Sequence, residues 1–91
     1  DTNNQSDKLL LKMWPVPYTL NATIQFSTTG GHTMIQQINS LGQVVKVLAD
    51  AQYTAGTYNI DIYDDNLPSG AYFIRLQNQS LQKVLNVVKI R

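Results

Sequence analysis

Along most of this 91-residue chain the apolar positions recur every second residue, which is the period of a strand with one face turned to a core. Leu20, Ala22, Ile24 and Phe26 alternate with Asn21, Thr23 and Gln25, predicting a strand with those four side chains inward. Tyr58, Ile60 and Ile62 make the same stripe within residues 57–63, and Asp61 between them is expected to point outward. Residues 71–77 place Tyr72, Ile74 and Leu76 on one face and Phe73 on the other, as in a central strand with cover on both sides. Residues 82–90 close the series, with Val84, Val88 and Ile90 on one face and Leu85 and Val87 on the opposite one. Both faces of that last strand therefore offer apolar contacts, while Lys89 and Arg91 are expected in solvent.

Turn residues punctuate the pattern. Gly30-Gly31 can supply both positive-φ positions of a type I′ hairpin, leading into a strand over 33–38 whose inward face stays open between Ile35 with Gln37 and Met34 with Ile38. Tyr53-Thr54-Ala55-Gly56 is a second loop, Leu67-Pro68-Ser69-Gly70 a tight turn that sets the register of the strand after it, and Asn78-Gln79-Ser80 the last turn. Pro15 and Pro17 cannot donate ladder hydrogen bonds, so residues 9–14 read as an edge strand ended by the prolines. The stretch 39–50 is ambiguous. Leu41, Val44, Val45 and Leu48 would line one face of a helix, but Gly42 in the first turn and three valines in four positions favour a turn followed by a strand.

Seven strands with turn signals roughly 8 to 12 residues apart predict an all-β fold, an immunoglobulin-like antiparallel β-sandwich. Residues 1–8, DTNNQSDK, have nothing to bury and read as a linker ahead of one domain over 9–91. The sequence begins with neither a secretory signal nor an initiator Met, which suggests a piece of a longer precursor.

Composition narrows the function classes. Charged residues make up 14% and Glu is absent, so the usual helix-forming surface residues are missing and Asn, Gln, Ser and Thr must cover the strand faces. A net charge of +1 without a basic cluster gives no footprint for nucleic acid. No apolar run reaches the roughly 18 to 20 residues of a helical membrane span, and without Cys there is neither a disulfide frame nor a thiolate site.

Candidate chemistry is thin. His32, the only histidine, has no Cys, Glu or second His to complete a metal shell. Asp64 and Asp65 read as a solvated turn rather than a cation site. Trp14 with Tyr18, or Tyr53, Tyr58 and Tyr63, can make an aromatic platform for a sugar, although packing explains these rings more simply. Three glycosylation triplets begin at Asn4, Asn21 and Asn78, and chains rich in Asn, Ser and Thr produce such triplets by chance. The expectation is a non-enzyme without cofactor or metal.

The order of motifs says more than any one of them. Pro15-x-Pro17, Ile24-x-Phe26, Asn39-Ser40-Leu41-Gly42-Gln43-Val44-Val45, Ala55-Gly56-Thr57-Tyr58, Leu67-Pro68-Ser69-Gly70-Ala71-Tyr72-Phe73-Ile74-Arg75-Leu76 and the terminal Val88-Lys89-Ile90-Arg91 together resemble the C-terminal sorting domains of type IX (Por) secretion cargo. The likeness covers about residues 9–91. It departs from the family at Val16, where Asn is usual, and at Gln37, where an apolar residue is usual. The resemblance implies a signal that directs a cargo joined to its N-terminal side across the outer membrane to the cell surface. It also implies recognition by the translocon, removal by a sortase-like protease, and direct reading of Lys89-Ile90-Arg91. The other reading is an accessory immunoglobulin-like module for adhesion or carbohydrate binding.

Overall fold

The computed structural model describes residues 9–64 and 66–90, and the predictions for residues 1–8, Asp65 and Arg91 lie outside them. Among these residues seven strands follow one another: β1 (Leu11–Trp14), β2 (Asn21–Thr28), β3 (Gly31–Asn39), β4 (Val44–Tyr53), β5 (Gly56–Tyr63), β6 (Gly70–Asn78) and β7 (Leu81–Lys89). They form a three-stranded sheet in the order β1-β2-β5 and a four-stranded sheet in the order β4-β3-β6-β7. Every pairing between strands is antiparallel.

The two-residue period produces this arrangement. Leu11 and Met13 of β1, Ala22, Ile24 and Phe26 of β2 and Ile62 of β5 make the buried stripe of one sheet. Ile35 of β3, Tyr72, Ile74 and Leu76 of β6 and Val87 of β7 make that of the other, and all belong to one core. Each large side chain taken fully from water contributes about 1.5 to 3 kcal/mol, so neither sheet can leave its stripe exposed. Phe26, Tyr53 and Tyr58 close the core near the start of β5, with ring centroids 4.9 to 5.7 Å apart.

Gly30 and Gly31 carry φ values of 101° and 91°, the pair of left-handed positions the β2–β3 hairpin needs. Asn78, fully buried, holds that turn from the β6 side: its Oδ1 accepts from Thr29 N at 2.9 Å, and its Nδ2 donates to Gly30 O at 3.1 Å. The triplet beginning at Asn78 is thus closed to modification in the folded domain.

The ambiguous stretch is a turn followed by a strand. Asn39 Oδ1 accepts from the backbone N of Leu41 and of Gln43, both at 3.0 Å, an Asx arrangement that reverses the chain before β4. The register of β4 against β3 then shifts twice, so that Val45 and Leu48 are extra residues between Val44 and Lys46 and between Val47 and Ala49. Each bulge turns one more side chain toward the core, and Val45, Leu48 and Ala49 pack against it. Bulges three residues apart imitate the spacing of a helical face.

Four expectations are corrected. Leu20, expected inward as part of the strand, lies just ahead of β2 and is 43% exposed. In β7 only the face carrying Leu85, Val87 and Lys89 is inward, while Val84, Val88 and Ile90 are exposed. Lys89, expected in solvent, is 5% exposed, since it continues the stripe of Val87. Asp64, expected in a solvated turn, is 1% exposed.

Candidate functional site

Four of the six motif segments meet at one end of the molecule. β3 arrives there at Asn39, paired with Tyr72 at the start of β6, and β7 arrives at Lys89, paired with Gly70. The loop after β1 joins them through Tyr18, whose N donates to Val88 O at 3.0 Å and whose O accepts from Ile90 N at 2.7 Å. Pro15 and Pro17, both following cis peptide bonds, are exposed on either side of Val16, and Tyr18 behind them is buried. Pro15-x-Pro17, the Asn39–Gly42 turn, the Leu67–Gly70 loop and Val88-Lys89-Ile90 are thus neighbours, although they come from opposite ends of the chain. Ala55-Gly56-Thr57-Tyr58 is at the other end, in the turn between β4 and β5 and the first residues of β5.

A buried polar cluster ties this end together. Asp64, just past β5, accepts from Tyr18 Oη at 2.6 Å and Gln37 Nε2 at 3.2 Å through Oδ2, and from Lys46 Nζ at 2.5 Å through Oδ1. Gln37 Nε2 also donates to Tyr18 Oη at 2.9 Å, while its Oε1 is buried without a partner among the described residues. Burial alone would raise the Asp64 pKa, but hydrogen bonds from Lys46, Tyr18 and Gln37 and the Lys46 charge outweigh it and hold the carboxyl below its ordinary value. Burial pushes the Tyr18 hydroxyl well up, and the Asp64 carboxylate beside it adds to the shift. Tyr72 is raised as well, by burial and then by the charge of Asp64.

Two motifs line one groove on this end. The Asn39-Ser40-Leu41 turn forms one wall and Leu67-Pro68-Ser69-Gly70 the other, enclosing about 350 Å³ above Val45 and Tyr72. The second wall is pinned by Tyr72 Oη, which donates to Pro68 O at 2.6 Å. Gly70 has a φ of 151°, which lets the loop enter β6 at the register that brings Tyr72 beneath Pro68. Leu41 is 81% exposed on the rim, unusual for a large apolar side chain that the Asx turn holds in place.

None of the described residues that line this groove is a His, Cys, Asp, Glu or Lys. Among the described residues no group of three or more His, Cys, Asp or Glu is placed to hold a metal ion. His32 lies near the opposite, hairpin end and pairs with Asp50 at 2.6 Å on the surface. Trp14 and Tyr18 do not form a platform, since the first is half-exposed and the second buried. Tyr53 and Tyr58 pack on Phe26, and Tyr63 stands apart from them, exposed.

Asp64, Lys46 and the role of Gln37 were not foreseen as a set, but a signal was present. The inward parity of Tyr58, Ile60 and Ile62 continues to 64, and that of Ile35 continues to 37. Two polar residues in phase with buried stripes on different strands are candidates for each other's partners, because neither can remain buried alone.

A family model described as "Secretion system C-terminal sorting domain" matches residues 12–90. No curated protein matches the chain, and no solved structure does.

Proposed function

This chain belongs to the secretion system C-terminal sorting domain family, and from that membership we propose how its parts divide the work of sorting. The domain is a non-catalytic signal of the type IX secretion system, which sends its cargo across the outer membrane to the cell surface or beyond. The translocon reads the motif end, where Leu41 and the Leu67–Gly70 loop offer an apolar groove beside the exposed Val88 and Ile90. Residues 1–8 are the linker in which the sortase cuts, residues 9–91 are the sorting domain, and the cargo is joined ahead of both. Lys89 acts inside this end rather than on its surface: it packs in line with Val87, so its contribution is to seat the last strand.

The observation that carries this reading is the convergence of four motif segments, far apart in sequence, on one end built around the buried Asp64. An immunoglobulin-like β-sandwich is the architecture that fits, since strands in 1-2-5 and 4-3-6-7 order share one core. Unlike the constant-type domain, this arrangement has β4 beside β3 rather than in the sheet of β1 and β2.

A reporter fused ahead of residues 1–91 in a host with the type IX system tests the assignment. Leu41→Asp is expected to leave the thermal melt unchanged and to reduce surface delivery of the reporter severalfold. Undiminished delivery would remove the groove from the recognition surface.

A further inference from the structure

On the outer face of the three-stranded sheet, at the same end but away from the groove, lies a second cleft of about 490 Å³, a size typical of small-molecule sites. Its walls are Trp14 with Pro15 on the β1 side and Tyr63 on the β5 side, and its floor carries Asn21, Thr23 and Asp61. The register explains the spacing. Trp14 pairs with Thr23, Thr23 with Asp61, and Asn21 with Tyr63, so the two aromatic residues stand on strands either side of β2, offset by two residues along it and about 12 Å apart at the backbone. Trp14 is 45% and Tyr63 56% exposed, and neither is used by the core.

We propose that this cleft binds a neutral pyranose ring, a role beyond the sorting function. Flat aromatic walls suit the C–H faces of a sugar. The floor presents a hydroxyl, an amide and a carboxylate side by side, with Thr23 Oγ1 donating to Asp61 Oδ1 at 2.9 Å. That set offers both donors and acceptors to neighbouring sugar hydroxyls. Among the described residues no Lys or Arg lines the cleft, and its floor carries the Asp61 carboxylate, which disfavours phosphate or sulfate groups there. A simple ammonium would use the carboxylate and the rings but would leave Asn21 and Thr23 unengaged.

Trp14 is the only tryptophan in the chain, so its emission reports on the cleft directly. Methyl glycosides of glucose, galactose, mannose and N-acetylglucosamine are titrated into the 91-residue chain. At least one is expected to shift the emission saturably, with a Kd of about 1 mM. Asp61→Ala and Tyr63→Ala, both at exposed positions, are each expected to weaken that binding at least tenfold with an unchanged circular dichroism spectrum. Gln82→Ala on the other sheet should bind as the parent does. Absence of a saturable shift with all four glycosides, or a shift that survives both cleft variants, would overturn the proposal. Saturable binding of tetramethylammonium in place of the glycosides would also overturn it, by making the cleft a cage for cations.

Discussion

Lys46 Nζ lies 2.5 Å from Asp64 Oδ1, so β4 of one sheet is bonded to the residue that follows β5 of the other. Asp64 is fully buried, and three donors on three separate segments converge on it. Removing it should be felt across the whole motif end. Asp64→Ala leaves the buried Tyr18 and Gln37 donors without their shared acceptor, at about 1 to 3 kcal/mol for each donor left unpaired. Lys46→Met leaves the buried Asp64 carboxylate without its counter-charge and should destabilise as well, tempered because the Lys46 side chain is 36% exposed and Tyr18 and Gln37 still donate to the carboxylate. Urea unfolding of both variants measures the two losses.

The same cluster makes stability depend on pH at both extremes. Asp64 has a folded pKa below its ordinary 3.8, so its contribution is present above that value and is lost as pH falls through the folded pKa. Tyr18 is raised above 10.0; its contribution is complete below pH 10 and is lost as pH rises beyond it. Melting temperature against pH should therefore fall at the acid end in the parent and fall less steeply there in Asp64→Asn. At the alkaline end, Tyr18→Phe should flatten the decline.

Gly70 separates backbone strain from crowding. Its φ of 151° is one that other residues rarely adopt, yet a Cβ there would meet nothing within 4 Å. Gly70→Val is expected to cost about 1 to 3 kcal/mol through conformation alone. Gly31→Ala should cost about as much as Gly70→Ala, through its own φ of 91°, because what its Cβ meets is the far end of the exposed Gln79 side chain, which can swing aside. Thermal melts of the variants give the comparison.

The last strand yields a paired test. Val88 and Ile90 are exposed while Val87 and Lys89 are buried, so Val88→Ser with Ile90→Ser should leave the melt within about 0.5 kcal/mol of the parent. Lys89→Ala, which strips a packed stem from the inward face, should lower it by more. Deleting residues 87–91 removes Val87, Lys89 and both backbone bonds to Tyr18, and is expected to unfold the domain and end export. Circular dichroism and the reporter fusion measure the two outcomes.

Much of this fold was legible because period-two patterning and turn residues leave few alternatives where strands are regular. The stripes of Ile24 with Phe26 and of Ile74 with Leu76 needed no tertiary information. The pattern was ambiguous where a strand is irregular, and it misled where a polar residue keeps a hydrophobic phase. Val45 and Leu48 sit at bulges, whose effect on side-chain direction depends on the partner strand. Asp64 and Lys89 carry charge, and composition places charge outside unless a partner or a neighbouring stripe is known. The motif end was hidden for a different reason: Tyr18 and Val88 are joined by backbone bonds, which no side-chain pattern encodes.

The fastening of Tyr18 to Val88 and Ile90 also bears on the order of assembly. β7 is the last of the seven strands to be synthesised, and it is held along β6 on one side and at Tyr18 on the other. Until it arrives, the inward faces of β6 and β1 have an open flank, and the loop after β1 lacks its backbone partners. A chain interrupted before β7 therefore cannot complete its core, and the finished domain certifies that everything upstream of its last strand has been made.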